Sequence, residues 1–121
     1  MSEVGAAKAE LALTLQEAGL DVYDYIPERV TPPVVVIRSG SPYFVPSSVG
    51  SEYVINLELV VVAGFATNET STDDLDDLIE ATILAIPADA GFKDVSQPYT
   101  LVMNGNDYLA TTIGIDLQIS I

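Results

Sequence analysis

The segment YVINLELVVVAG, residues 53–64, decides the fold, because it alternates like a strand that lies between two different environments. One side of this strand carries only large apolar and aromatic residues: Tyr53, Ile55, Leu57, Leu59 and Val61. The other side changes from polar to apolar along its length: Val54, Asn56, Glu58, Val60 and Val62. We therefore predict a strand with one apolar face and a second face that is polar at one end and apolar at the other.

A second alternating segment, YLATTIGIDLQISI at 108–121, ends the chain. Its aliphatic residues share one side: Leu109, Ile113, Ile115, Leu117, Ile119 and Ile121. The pair Asn104-Gly105 precedes it, and because both residues tolerate positive φ it predicts a two-residue hairpin turn. The partner strand of this hairpin lies in FKDVSQPYTLVM, residues 92–103.

Two segments have helical periodicity. In 2–18 the apolar residues recur every three or four positions, at Val4, Ala7, Leu11, Leu15 and Ala18, and Gly19 is placed to end the helix. In 72–86 they are Leu75, Leu78, Ile79, Thr82, Ile83 and Ile86, with Ser71 or Thr72 as N-cap and Pro87 at the end. The order of elements predicts one α+β domain over 1–121, a mainly antiparallel sheet with two helices on one face.

The region between the first helix and the strand at 53–64 is less regular. DVYDYI, residues 21–26, predicts a short strand, and VVVIR, residues 34–38, predicts a strand buried on both faces. We expect a helix to cover one face of the latter, and a helix or a neighbouring subunit to cover the other. Residues 39–52 predict a long loop whose Tyr43-Phe44 pair is either a docking element or a flap over the core of its own chain.

The composition excludes several classes of protein. The chain has no cysteine and no histidine, which removes disulfides, thiolate metal sites and most hydrolase triads. The formal net charge of −14 repels phosphate backbones and anionic membranes. The longest apolar run, Leu59 to Gly64, is too short to span a bilayer. The N-terminal segment lacks the pattern of a secretory signal, so we expect synthesis in the cytoplasm.

The acidic segment DDLDD, residues 73–77, is the one cluster with the composition of a metal site. Acids in a first helical turn are also expected simply because they offset the positive end of the helix dipole. We expect no metal, no cofactor and no catalytic residue, and hence no enzymatic activity. Instead, we expect the acids on this helix to face solvent or a lumen: Asp73, Asp76, Asp77 and Glu80.

Four stretches together resemble the tail terminator (tail completion) proteins of long-tailed, siphovirus-type bacteriophages, notably those that infect actinobacteria. They are LQEAGLDVYDYIPERVTPPVVVI at 15–37, YVINLELVVVAG at 53–64, DDLDDLIEATILAI at 73–86 and GNDYLATTIGIDLQISI at 105–121. The resemblance implies a small α+β virion protein that forms a hexameric ring at the head-proximal end of the tail tube. Such a ring ends tube polymerisation and joins the tail to the head.

The resemblance also implies partners. They are other copies of the chain, the tail tube protein and a head-completion or connector protein, while DNA passes through without specific binding and no membrane is involved. We expect the interface with a neighbouring subunit or with the tube to include Leu13, Arg29, Arg38, Tyr43 and Phe44, with further apolar surface from Val34–Ile37 and Val60–Val62. In such a seam each arginine would hold a carboxylate of the neighbouring copy in a forked arrangement.

Other functions remain open at this point. A head-tail connector or a tail tube subunit shares the plan of a sheet with helices. An acidic protein-binding module, such as an inhibitor that mimics DNA, would use the negative charge directly. Because such a module binds as a monomer or a dimer, its molar mass in solution distinguishes it from a ring.

Overall fold

A computed structural model describes residues 2–47, 52–66 and 69–120, and these form the α+β fold that the sequence predicts. The elements, in chain order, are helix α1 (Glu3–Glu17), strands β1 (Val22–Tyr23), β2 (Val34–Pro46) and β3 (Glu52–Phe65), helix α2 (Glu69–Ala85), and strands β4 (Gly91–Val95), β5 (Tyr99–Met103) and β6 (Asn106–Ser120).

The six strands form a single sheet, in which five of them are neighbours in the order β1-β2-β3-β6-β4. The pairing of β1 with β2 is parallel, and all the others are antiparallel. β5 also pairs with β6, so that β4 and β5 lie end to end along the same side of this long strand. The sheet is therefore mainly antiparallel, as predicted.

Both helices pack on one face of the sheet, which we call the helix face. Leu11 and Leu15 of α1, and Leu75 of α2, belong to the same buried cluster as the predicted inward side of β3 and β6. The fully buried strand residues of this cluster include Ile55, Leu57, Leu59, Val61, Ile113 and Ile115. The prediction of two helices on one face is confirmed, and the alternation of β3 separates the two faces as expected.

The opposite side of the sheet, the open face, has its own apolar half. Its buried residues are Val30, Val34, Val36, Val60, Val62, Tyr108 and Ala110. Val30 comes from the segment between β1 and β2, and Tyr23 and three residues of β5 pack against the same cluster. Val34–Ile37 and Val60–Val62 are at most 6% exposed in the isolated chain. The expectation that they offer spare apolar surface to a neighbour is therefore wrong.

The predicted loop at 39–52 is also wrong for most of its length. β2 continues to Pro46, and Phe44, Val45 and Pro46 pair with Ile55, Val54 and Tyr53. The register shifts between Ser39, which pairs with Leu57, and Phe44, which pairs with Ile55. Residues 40–43 of β2 therefore lie opposite a single residue of β3, Asn56. This irregularity removes the period of two from the sequence and explains why the strand was missed. Residues 48–51 of the predicted loop lie outside the described residues.

Smaller differences concern the ends of elements. Helix α2 already includes Glu69, so Ser71 and Thr72 lie within it and the prediction of either as N-cap is wrong. Ser71 is 2% exposed, and its hydroxyl lies where a side chain on Gly64 would otherwise be. The predicted strand at 21–26 is reduced to the two residues of β1.

Two turns have the backbone that their residues predict. Asn104 and Gly105 have φ of 52° and 79°, which is the positive pair required by a tight hairpin between β5 and β6. Gly19 has φ of 92°, and its N–H donates to the Gln16 carbonyl while that of Leu20 donates to Leu15. This is the glycine-ended helix terminus that was predicted for α1.

Candidate assembly surface

The other half of the open face is polar and is organised around a row of residues that crosses four strands. Arg38 on β2 pairs with Glu58 on β3, Glu58 with Gly114 on β6, and Gly114 with Asp94 on β4. We call these four residues the charged row. Arg38 Nε donates to Glu58 Oε1 at 2.7 Å, and the two side chains are 38% and 34% exposed. The row thus ends in a cation on β2 and in a carboxylate on β4.

Gly114 leaves room for neighbouring side chains in the middle of the charged row, because it has no side chain of its own. A Cβ at this position would lie 2.9 Å from an Asp94 carboxylate oxygen and 3.5 Å from Lys93 Cβ. Because glycine has no side chain, the Asp94 carboxylate and the Lys93 side chain both lie over β6, and Lys93 reaches Asn56 Oδ1 on β3, to which it donates. Lys93 thus has a partner in its own chain, whereas Asp94 is exposed and has none among the described residues.

Both sides of the sheet have a strand edge without a partner among the described residues. β1 pairs only with Val35 and Val36, and this parallel pairing also uses the Ile37 N–H, so the outer edge of β2 is free from the Ile37 carbonyl onward. β4 pairs with β6 on its inner side, and no described strand lies on its outer side. Such edges present unpaired N–H and C=O groups to any further strand.

The edge of β4 also carries exposed apolar side chains that sequence reasoning missed. Phe92 is 50% exposed and Val95 is 36% exposed. A regular strand would place residues three apart on opposite faces, but the register shifts between Phe92 and Asp94. Phe92 therefore pairs with Ile115 and Val95 with Ile113, both on the helix face. The sequence signal, two apolar residues around a Lys-Asp pair, is too short to predict this bulge.

Three of the five predicted interface residues lie on separate elements. Leu13 is 54% exposed on α1, Arg29 is exposed between β1 and β2, and Arg38 is on the open face of β2. The described residues give Arg29 no ion pair or hydrogen bond, whereas Arg38 already has Glu58. The predicted role of Leu13 and Arg29 in a seam stays a prediction.

The other two, Tyr43 and Phe44, have different surroundings. Tyr43 packs against the core on the helix face, and Lys8 Nζ lies 5.5 Å from the centroid of its ring. Phe44 is 36% exposed, and its ring centroid is 5.1 Å from that of Tyr53. Tyr43 thus covers its own core, while Phe44 keeps an exposed aromatic surface.

The predicted acidic face lies on the outer side of α2. Its carboxylates are exposed, namely Asp73, Asp76, Asp77 and Glu80, while Leu75 of the same helix is buried. Within the described residues, no group of three or more acids comes together as a metal site would require. No helix in the described part of the chain is long and apolar enough to cross a membrane. The described surface therefore offers three features for binding: the charged row, the exposed acids of α2, and the free backbone groups at the edges of β2 and β4.

No protein-family model matches the chain, and no curated protein is significantly similar to it. The fold, the free edges of β2 and β4 and the charged row are therefore the structural features that bear on a proposal about function.

Proposed function

We propose that the chain is a structural subunit of a phage tail, which forms a ring of six copies at the head-proximal end of the tail tube. The observation that carries this proposal is the pair of unlike free edges, on β2 and on β4, at opposite sides of one sheet. When each copy offers one edge to the next copy, the contact is head-to-tail, and such contacts form a closed ring when the rotation from copy to copy closes. The resemblance to tail terminator proteins supports a place for this ring on the tail.

The charge of the chain supports the same proposal. Eighteen acids and four basic residues leave a net charge of −14. In a ring through which DNA passes, carboxylates along the wall repel the phosphates, so that DNA slides without adhering. The acids on α2 are fully available for this role, because they are exposed: Asp73, Asp76, Asp77 and Glu80.

The remaining exposed groups suit contacts with other tail proteins. Leu13 on α1 and Phe44 near the end of β2 are apolar and exposed, on different elements. In the proposed function they contact the tail tube protein or the head-completion protein, where the ring ends tube polymerisation and joins tail to head. The protein then resides in the virion, after synthesis in the host cytoplasm.

Two measurements test this function. Light scattering of the purified protein over a range of concentrations gives its molar mass, and negative-stain microscopy of the protein and of phage tails shows whether closed rings are present. We expect a species of six subunits, or rings at one end of the tails. A strict monomer together with tails that lack a ring would overturn the proposal. A monomer or dimer that binds a basic protein would favour the acidic module instead.

A further inference from the structure

We propose that the ring closes by strand addition, with β4 of one copy pairing antiparallel to the free edge of β2 in the next copy, so that Asp94 lies opposite Arg38 of the next copy. This inference rests on the proposed ring and deepens it by naming the seam. It is supported by strand direction, by charge, by backbone alternation and by the length of the two edges.

The strand directions allow the sheet to continue from copy to copy. β3 is antiparallel to β2, β6 to β3, and β4 to β6. β4 is therefore antiparallel to β2 across the sheet. When the next copy is added in the same orientation, its β2 meets β4 as an antiparallel neighbour, and no copy has to be inverted.

The charges at the two ends of the charged row are complementary. Arg38 and Asp94 belong to the same row of cross-strand neighbours, at opposite edges of the sheet. If this row continues through the seam, each Asp94 is opposite an Arg38, and an opposite-charge pair stabilises adjacent strands. In the same register Val95 is opposite Ile37 of the next copy, and both residues are on the helix face of the sheet.

The direction of the backbone groups agrees with this register. The Val35 N–H donates to the Asp21 carbonyl at 2.8 Å, so Val35 points away from β3, and alternation makes Ile37 do the same. The Ser96 N–H donates to the Thr112 carbonyl at 2.8 Å, so Ser96 points toward β6 and Val95 points away. The parallel pairing of Tyr23 with Val36 already uses the Ile37 N–H, so the Val95 N–H can donate to the free Ile37 carbonyl of the next copy. Asp94 and Arg38 then form the adjacent non-hydrogen-bonded pair, in which side chains are closest.

The two side chains are also available. Arg38 uses its Nε for Glu58, which leaves the terminal N–H groups of a 38% exposed side chain for a second carboxylate. Asp94 is exposed, and the described residues give it no hydrogen bond or ion pair. A guanidinium between two carboxylates, one from each copy, suits the forked geometry that arginine provides.

The lengths of the two edges allow this register. β4 has five residues, and no described strand lies on its outer side. On β2 the free stretch runs from the Ile37 carbonyl to Ser41, before Pro42, which has no N–H to donate. Because β4 has a bulge between Phe92 and Asp94, its five residues need four positions on β2, and these fit within that stretch.

The seam is tested by the double variant Arg38→Cys/Asp94→Cys, because the natural chain has no cysteine. Within one chain these positions are three strand spacings apart, about 14 Å, which is too far for a disulfide. Across the proposed seam they are directly opposite. Under mild oxidation we expect a ladder of linked chains up to the full ring on a non-reducing gel. Each single variant, and the control Arg38→Cys/Asp73→Cys, should stop at dimers.

The outcomes separate the seam from the ring. Closed rings in the microscope without a 38–94 cross-link overturn the seam and leave the proposed function standing. A ladder without closed rings supports the strand pairing and overturns the ring. Monomers on the gel and in the microscope, together with tails that lack a ring, overturn both.

A second variant covers the case in which the cysteine protein fails to fold. We expect Asp94→Lys to keep the circular dichroism spectrum of the natural chain and to raise the midpoint concentration for assembly at least about tenfold. An unchanged midpoint would show that Asp94 is not at the seam.

Discussion

Replacing Val62 by alanine tests whether the apolar half of the open face is part of the subunit's own core. Val62 is fully buried on β3, between Val34 and Ala110 on the neighbouring strands. The change removes two buried methyl groups, and at about 0.8 kcal/mol each this costs about 1.6 kcal/mol of hydrophobic stabilisation. The cavity left behind adds about 1 kcal/mol, since the surrounding strands relax only partly. We expect the free energy of unfolding of the isolated subunit to fall by about 2–3 kcal/mol.

The assay is urea unfolding followed by circular dichroism at several protein concentrations, with the slope compared between variants to check that the mechanism is unchanged. Val102→Ala is the matched control, because it makes the same chemical change at a side chain that is 66% exposed. It should alter stability by less than about 0.5 kcal/mol. If Val62→Ala were as mild as this control in the isolated subunit, and lowered stability only in the assembled state, the open face would be an interface and our description of the core would be refuted.

Three further changes probe the site and the fold. Arg38→Ala should lower the stability of the isolated subunit by under about 1 kcal/mol, because its ion pair with Glu58 is more than a third exposed and screened by solvent, yet it should impair ring formation in light scattering. Gly105→Ala should destabilise the subunit by about 1 kcal/mol in urea unfolding, because alanine is strained at a φ of 79°, whereas an unchanged midpoint would show that the turn is not rigid. Four exposed acids of α2 can be replaced together by asparagine: Asp73, Asp74, Asp76 and Asp77. This variant should keep the circular dichroism spectrum of the natural chain. Stoichiometric Mg²⁺ binding by the natural chain that the variant loses would reveal a metal site.

The parts of the fold that the sequence predicts are those with a local physical cause. The alternation in 53–64 assigns each residue of β3 to a face, because successive side chains of a strand point in opposite directions. The helix face of α1 follows from the spacing of Leu11 and Leu15, and the hairpin turn follows from the tolerance of Asn104 and Gly105 for positive φ. These signals were enough for the α+β class and for two helices on one face.

The candidate site depends on distant residues and required the tertiary structure. Arg38 and Asp94 are 56 residues apart in the chain (94 minus 38), and they share a row only because three strand registers align them. Residues 39–46 are strand despite their glycine, prolines and serines, because pairing with β3 accommodates a bulge that no local pattern specifies. Likewise, burial of Val34 and Val60 on the open face depends on Val30 and β5, which the sequence does not place there. Local periodicity therefore determined which residues form each element and face, whereas long-range strand pairing decided which faces are covered, which edges are free and which charges stand at them.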